Sequence, residues 1–157
     1  MIQRNLLFPL TLAAILVATP GLAGSSNADS TSAEADIVQV IEASYIHGAF
    51  NEQNTEAMRA GFHPIFKIHG VGKGKLSTYP IADWVSGIEK QKAKDDYKAQ
   101  VWEHRFPMID ITGNAAVVKV ELFKVEGADK THVYTDYLSL LKFADGWKIT
   151  DKVYTQH

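Results

Sequence analysis

The chain has 157 residues, of which 46% are hydrophobic and 22% charged, with 18 Asp and Glu against 16 Lys and Arg and no cysteine. This is the balance of a folded globular chain, and a formal net charge of −2 lacks the basic excess of a phosphate-backbone binder, so no nucleic acid partner is expected. Without cysteine there are no disulfides, no thiolate metal sites, no Cys nucleophile and no lipid-modified Cys anchor.

Met1 to Ala23 reads as a secretory signal: Arg4 gives a positive start, Leu6 to Ala18 an apolar run, and Gly21-Leu22-Ala23 small residues for cleavage. The run is shorter than a membrane span needs, so the expectation is an exported protein, periplasmic or secreted, with no membrane contact after cleavage. Residues 24–35, small and polar, read as a flexible linker, and residues 36–157 as one domain.

Thr31 and Glu34 have capping-box spacing before a helix that buries Ile37, Val38, Ile41, Tyr45 and Ala49 on one face. A short second helix follows a cap at Asn54 or Thr55 and stops at His63-Pro64, because the residue before a proline avoids the helical region. Ile65 to His69 alternates like a strand, and Gly70 to Gly74 is a turn. The glycine spacing and the Leu76 after Lys75 do not fit a phosphate loop. Pro80 opens a third helix whose stripe is Ile81, Trp84, Val85 and Ile88.

From Tyr97 the period becomes alternating, and turn signals at Thr112-Gly113-Asn114, Gly127 to Lys130 and Asp145-Gly146 divide four strands of an antiparallel meander. Helices followed by such a sheet form an α+β fold with helices on one face. Both alternating sets carry apolar residues, Val118, Val120 and Leu122 against Val117, Phe123 and Val125, so the second face needs a cover, most simply a homodimer through the sheet.

The first helix with Tyr45, the Phe62-His63-Pro64 helix end, the Trp84 helix and the run TDYLSLLKFADGWKI resemble the NTF2-like superfamily, and within it the putative lumazine-binding family. The resemblance spans Ala35 to Thr155. It implies a cystatin-like cone, three N-terminal helices packed on a curved antiparallel sheet and enclosing a pocket, a shape that serves enzymes and plain ligand binders alike. In ketosteroid isomerase-like members the functional positions match Tyr45, His69 and Asp136, with His69 standing where those enzymes have a carboxylate.

Asp136 shares strand parity with Leu138 and Leu140, so it faces inward with them. It is either a functional acid or a structural one paired with Lys152 or a helix-end amide. Tyr45 lies on the buried stripe with its hydroxyl available as a donor, and His69 is the candidate base. Phe62, His63, Phe66, Trp84, Trp102, His104, Tyr134 and Lys152 are candidate ligand contacts. Among them His63 either bonds across the helix end or looks into the pocket, and Trp84, Phe66 and Trp102 also suit an ordinary core. The six histidines have no metal-site spacing, and neither metal nor cofactor is expected. The functional expectation is an exported pocket protein holding a small, mainly apolar or aromatic molecule. The alternative is an isomerase, cyclase or dehydratase with His69 as base and Tyr45 and Asp136 as oxyanion donors.

Overall fold

The computed structural model describes residues 26–94, 96–98 and 100–157, so the signal-like segment Met1 to Ala23 lies outside the described residues. Helix α1 (Ser26–Val40) runs without a break into a π-helical segment (Ile41–Asn51). The helix therefore takes in most of the stretch that reads as a linker, and Thr31 sits inside it rather than at its cap. Ala33 gives a reason for the extension, since it packs on the core one turn before the fully buried Ile37.

The change of helix type follows from the sequence period. Ile37, Ile41, Tyr45 and Ala49 repeat strictly every four residues, which outruns a 3.6-residue turn by about 40° per step. Widening the turn from Ile41 onward brings Tyr45 and Ala49 back into line, and all four residues are buried.

Helix α2 (Thr55–Gly61) is capped by Asn54, whose Oδ1 accepts from Ala57 N at 3.1 Å. It ends at Gly61, two residues before His63, and strand β1 (Phe62–Gly72) begins at once. A two-residue turn of Lys73 and Gly74, both at positive φ, joins β1 to β2 (Lys75–Pro80). Helix α3 (Ile81–Lys92) follows, then β3 (Val101–Thr112), β4 (Ala115–Glu126), β5 (Asp129–Phe143) and β6 (Gly146–Gln156).

The sheet order is β2-β1-β6-β5-β4-β3, with every pair antiparallel except β1 and β6, which are parallel. The architecture is thus α+β with a curved sheet, but it has one long helix and two shorter ones, and the β1-β2 hairpin separates α2 from α3. Bulges bend four of the strand pairs, one of them at Thr150 in β6, which is left unpaired between the pairs Leu140 with Ile149 and Ser139 with Asp151.

The inner face carries Val118, Val120, Leu122, Asp136, Leu138, Leu140 and Ile149, each at most 1% exposed beneath the helices. The outer face is half open, with Val117, Tyr137, Leu141 and Val153 each at least 40% exposed. Packing of α2 on the long helix depends on Gly61, where an added Cβ would lie 1.7 Å from Ser44 Oγ. Gly61→Ala should therefore cost about 1–3 kcal/mol in urea unfolding by the usual penalty for overpacking. An unchanged midpoint and slope would show that the two helices are not in this contact.

Candidate functional site

Three elements bring one polar cluster together inside the apolar layer. The π-helical segment supplies Tyr45, β5 supplies Asp136 and β6 supplies Lys152. Leu138 pairs with Lys152 and Asp136 with Tyr154, so Asp136 and Lys152 are diagonal neighbours on the inner face. The Tyr45 hydroxyl donates to Asp136 Oδ2. Lys152 Nζ donates to the Tyr45 hydroxyl at 2.6 Å and stands 3.1 Å from Asp136 Oδ1, at ion-pair distance but without the alignment of a hydrogen bond.

All three side chains are buried, at 0% exposure for Tyr45 and Asp136 and 5% for Lys152. Burial pushes the Tyr45 hydroxyl well above its ordinary pKa, and the neighbouring Asp136 charge and hydrogen bond push the same way. Burial lowers the pKa of Lys152, and the charge of Asp136 beside it acts against that fall. Five rings also face the ammonium. Its nitrogen is 5.1 Å from the centroids of Tyr45 and Tyr154, 5.8 Å from those of Trp84 and Tyr134, and 5.9 Å from that of Phe50.

Lys152 also borders a cavity of about 450 Å³, walled by Phe50, Ile68, Trp84, Tyr134 and Tyr154, with Ser77, Thr78 and Tyr79 of β2 at its rim. The rim groups are partly engaged, since Ser77 Oγ donates to Gly70 O at 3.2 Å and the Tyr79 hydroxyl to Asp83 O at 2.9 Å. The wall is mainly aromatic, with Lys152 as its charged member and the hydroxyls of β2 at the rim.

Of the expected trio, Tyr45 and Asp136 meet and His69 does not join them. His69 pairs in register with Val153, the residue after the inward Lys152, and its Nε2 lies 3.1 Å from Asp151 Oδ2 on the outer face. The sheet separates its ring from the Asp136 carboxyl, so a mechanism with His69 as base toward Tyr45 and Asp136 is not available. Lys152 occupies the third place instead.

Of the expected ligand contacts, Trp84, Tyr134 and Lys152 line the cavity. Phe62 and Phe66 are core, with ring centroids 4.6 Å apart and each packed on Trp84. His63 stacks on Phe143 at 4.9 Å and accepts from Ile65 N through Nδ1, away from the cavity. Trp102 packs on Phe50 at 5.1 Å, with its backbone bonded to the Asn51 side chain. His104 Nε2 meets Glu42 Oε1 of the π-helical segment at 2.7 Å. Sequence reasoning missed Phe50, Ile68, Tyr79 and Tyr154 in the wall. Among the described residues no group of three or more His, Asp or Glu is arranged to hold a metal ion.

Helices covering one face of a curved six-stranded sheet make an NTF2-like fold, and solved structures agree. An NTF2-like protein of unknown function from Shewanella baltica shares 23% identity, with 85% of this chain and 98% of that one covered at a TM-score of 0.63. One from Methylobacillus flagellatus shares 26% identity, with 87% and 99% covered at a TM-score of 0.59. Residues 32–155 match the family described as putative lumazine-binding, and the chain belongs to that family. Over 124 residues it is also 27% identical to the aldolase FrzH of a Cladobotryum species, covering 79% of this chain and 92% of that protein.

The buried pair carries a stability prediction. Lys152→Met or Asp136→Asn alone should cost about 3–5 kcal/mol, because each strands the other charge without its partner. The double variant should recover most of that loss, which a double-mutant cycle by urea unfolding would measure. Additive losses would mean that the two groups do not act as a pair.

Proposed function

We propose that the chain is an exported carrier or sensor that binds a small, flat, mainly aromatic molecule in the cavity over Lys152. The observation that carries this is the lysine itself: a side chain that is usually solvated lies 5% exposed at the base of an aromatic-walled cavity. Membership of a family described by ligand binding supports the same reading. Export rests on the signal-like pattern of Met1 to Ala23. A homodimer through the outer sheet face rests on the apolar side chains open there, Val117, Tyr137, Leu141 and Val153.

The match to an aldolase favours a second reading, an enzyme acting at a carbonyl carbon in the same cavity. Such an enzyme would work through Lys152, Tyr45 and Asp136 rather than through His69.

Two measurements test these readings. Lumazine and a panel of aromatic aldehydes and ketones should raise the melting temperature of the mature chain and quench tryptophan fluorescence through Trp84. Thr78→Trp, which puts a ring at the cavity rim, should abolish both effects without lowering the melting temperature of the free protein. No shift with any of the panel, together with a ligand-free mass for protein purified from its own cell envelope, would sink the binding reading. For the assembly, light scattering should give twice the monomer mass, and Tyr137→Asp with Val153→Asp should return it to the monomer; a monomeric parent chain would remove the dimer.

A further inference from the structure

The nitrogen of Lys152 has three positions for hydrogens, and among the described residues two groups stand against it. It donates to the Tyr45 hydroxyl at 2.6 Å and lies at ion-pair distance, 3.1 Å, from Asp136 Oδ1. Among the described residues no third partner accepts from it, and the residue borders the cavity. An ammonium that gives up its third proton keeps both of these contacts and turns its lone pair to the unclaimed side. That state is a positioned amine nucleophile walled by aromatic rings.

We propose that Lys152 forms a Schiff base with a carbonyl compound bound in the cavity, the compound being a flat aromatic or conjugated aldehyde or ketone. The inference rests on the cavity being a ligand site, as proposed above, and names the chemistry of that site. The amine adds to the carbonyl carbon, forming a carbon–nitrogen bond and a carbinolamine. The carbon–oxygen bond then breaks and water leaves. Counted from the ammonium, two of its three protons depart with the oxygen as water and the third stays on the imine nitrogen, so atoms and the single positive charge balance. No oxidant, reductant or metal is involved.

The surroundings suit each stage. Asp136 stays beside the nitrogen to balance the positive charge of the protonated imine, as it balances the ammonium. The Tyr45 hydroxyl, between the nitrogen and Asp136 Oδ2, can pass a proton to or from the departing oxygen. The other titratable groups facing the nitrogen are the phenols Tyr134 and Tyr154. Burial raises the pKa of Tyr134, which keeps it neutral and leaves Asp136 as the nearest counter-charge. Because burial also favours the neutral amine of Lys152, its reactive form appears at lower pH than that of an ordinary solvated lysine.

The test is reductive trapping on the mature chain. With 2-naphthaldehyde and cyanoborohydride at neutral pH, intact mass should show one major adduct, and peptide mapping should place it on Lys152 with roughly tenfold preference over Lys73 and Lys75. Trapping at Lys152 should rise at lower pH than trapping of a free lysine derivative in the same buffer. Lys152→Arg keeps the cation and removes the nucleophile, so it should lose the adduct. Should that variant fail to fold, lumazine added before the aldehyde should protect Lys152 in the parent chain. Adducts spread over the exposed lysines and absent from Lys152, with the lumazine shift intact, would overturn the Schiff base and leave ligand binding standing. No adduct at Lys152 and no shift with either compound would overturn both.

Discussion

An ion pair stripped of water is the constraint to which the rest of this structure answers. Moving a lysine and an aspartate into a protein interior costs several kcal/mol for each ion, and their attraction offsets that only when geometry and extra hydrogen bonds are in place. Here Tyr45 links Asp136 to Lys152, and the three come from separate elements, 91 and 107 residues apart along the chain. The cluster therefore forms only when the long helix lies across the finished sheet. The wide π turn that points Tyr45 at Asp136 belongs to the same requirement, since a regular α-helix would carry the four-residue repeat off the sheet.

The rings around Lys152 follow from its burial. A cation away from water is favoured by the negative faces of aromatic side chains, and Tyr45, Phe50, Trp84, Tyr134 and Tyr154 supply them from the π-helical segment, α3, β5 and β6. Four of these rings, all but Tyr45, also wall the cavity. One set of side chains thus both makes the lysine tolerable in the interior and walls the cavity. The parallel pairing of β1 with β6 completes the wall by placing Ile68 beside Lys152 and carrying the β1-β2 hairpin to the rim.

Much of the fold was legible because period and turn chemistry are local. The alternating strands, the helix starts at Asn54 or Thr55 and at Pro80, and the hairpin turns could all be read along the chain, whereas β4, apolar on both sets, did not say which set turns inward. Tyr45 and Asp136 were legible for the same reason, each lying on an unbroken apolar stripe. Lys152 was expected both as a partner of Asp136 and as a ligand contact, but strand parity alone does not turn it inward, because a bulge intervenes. Counting by twos from Trp147 and Ile149 puts Asp151 inward, and the unpaired Thr150 shifts the parity so that Lys152 and Tyr154 point in. His69 failed for the complementary reason. Its neighbour Ile68 is the inward residue, and a shift of one position along a strand moves a side chain to the opposite face. Tyr79 was invisible because β2 has no buried apolar set to announce it.

The charge balance of the cluster restricts what the cavity can hold. Asp136 and Lys152 cancel, so an anion entering the cavity would meet no net positive charge to replace its hydration. A cationic ligand suits an aromatic box in general, but this box already surrounds the Lys152 ammonium, and a second positive charge beside it would be repelled. The proposed ligand is therefore a neutral molecule, with an apolar or aromatic body for the walls and one acceptor atom for the unclaimed donor of Lys152. A carbonyl group on a flat ring system meets both conditions, and its carbon is also the atom an amine attacks. On the proposed reading, recognition and Schiff-base formation would call on the same group of the ligand and the same nitrogen of the protein, and the amine could attack only after Lys152 releases one proton.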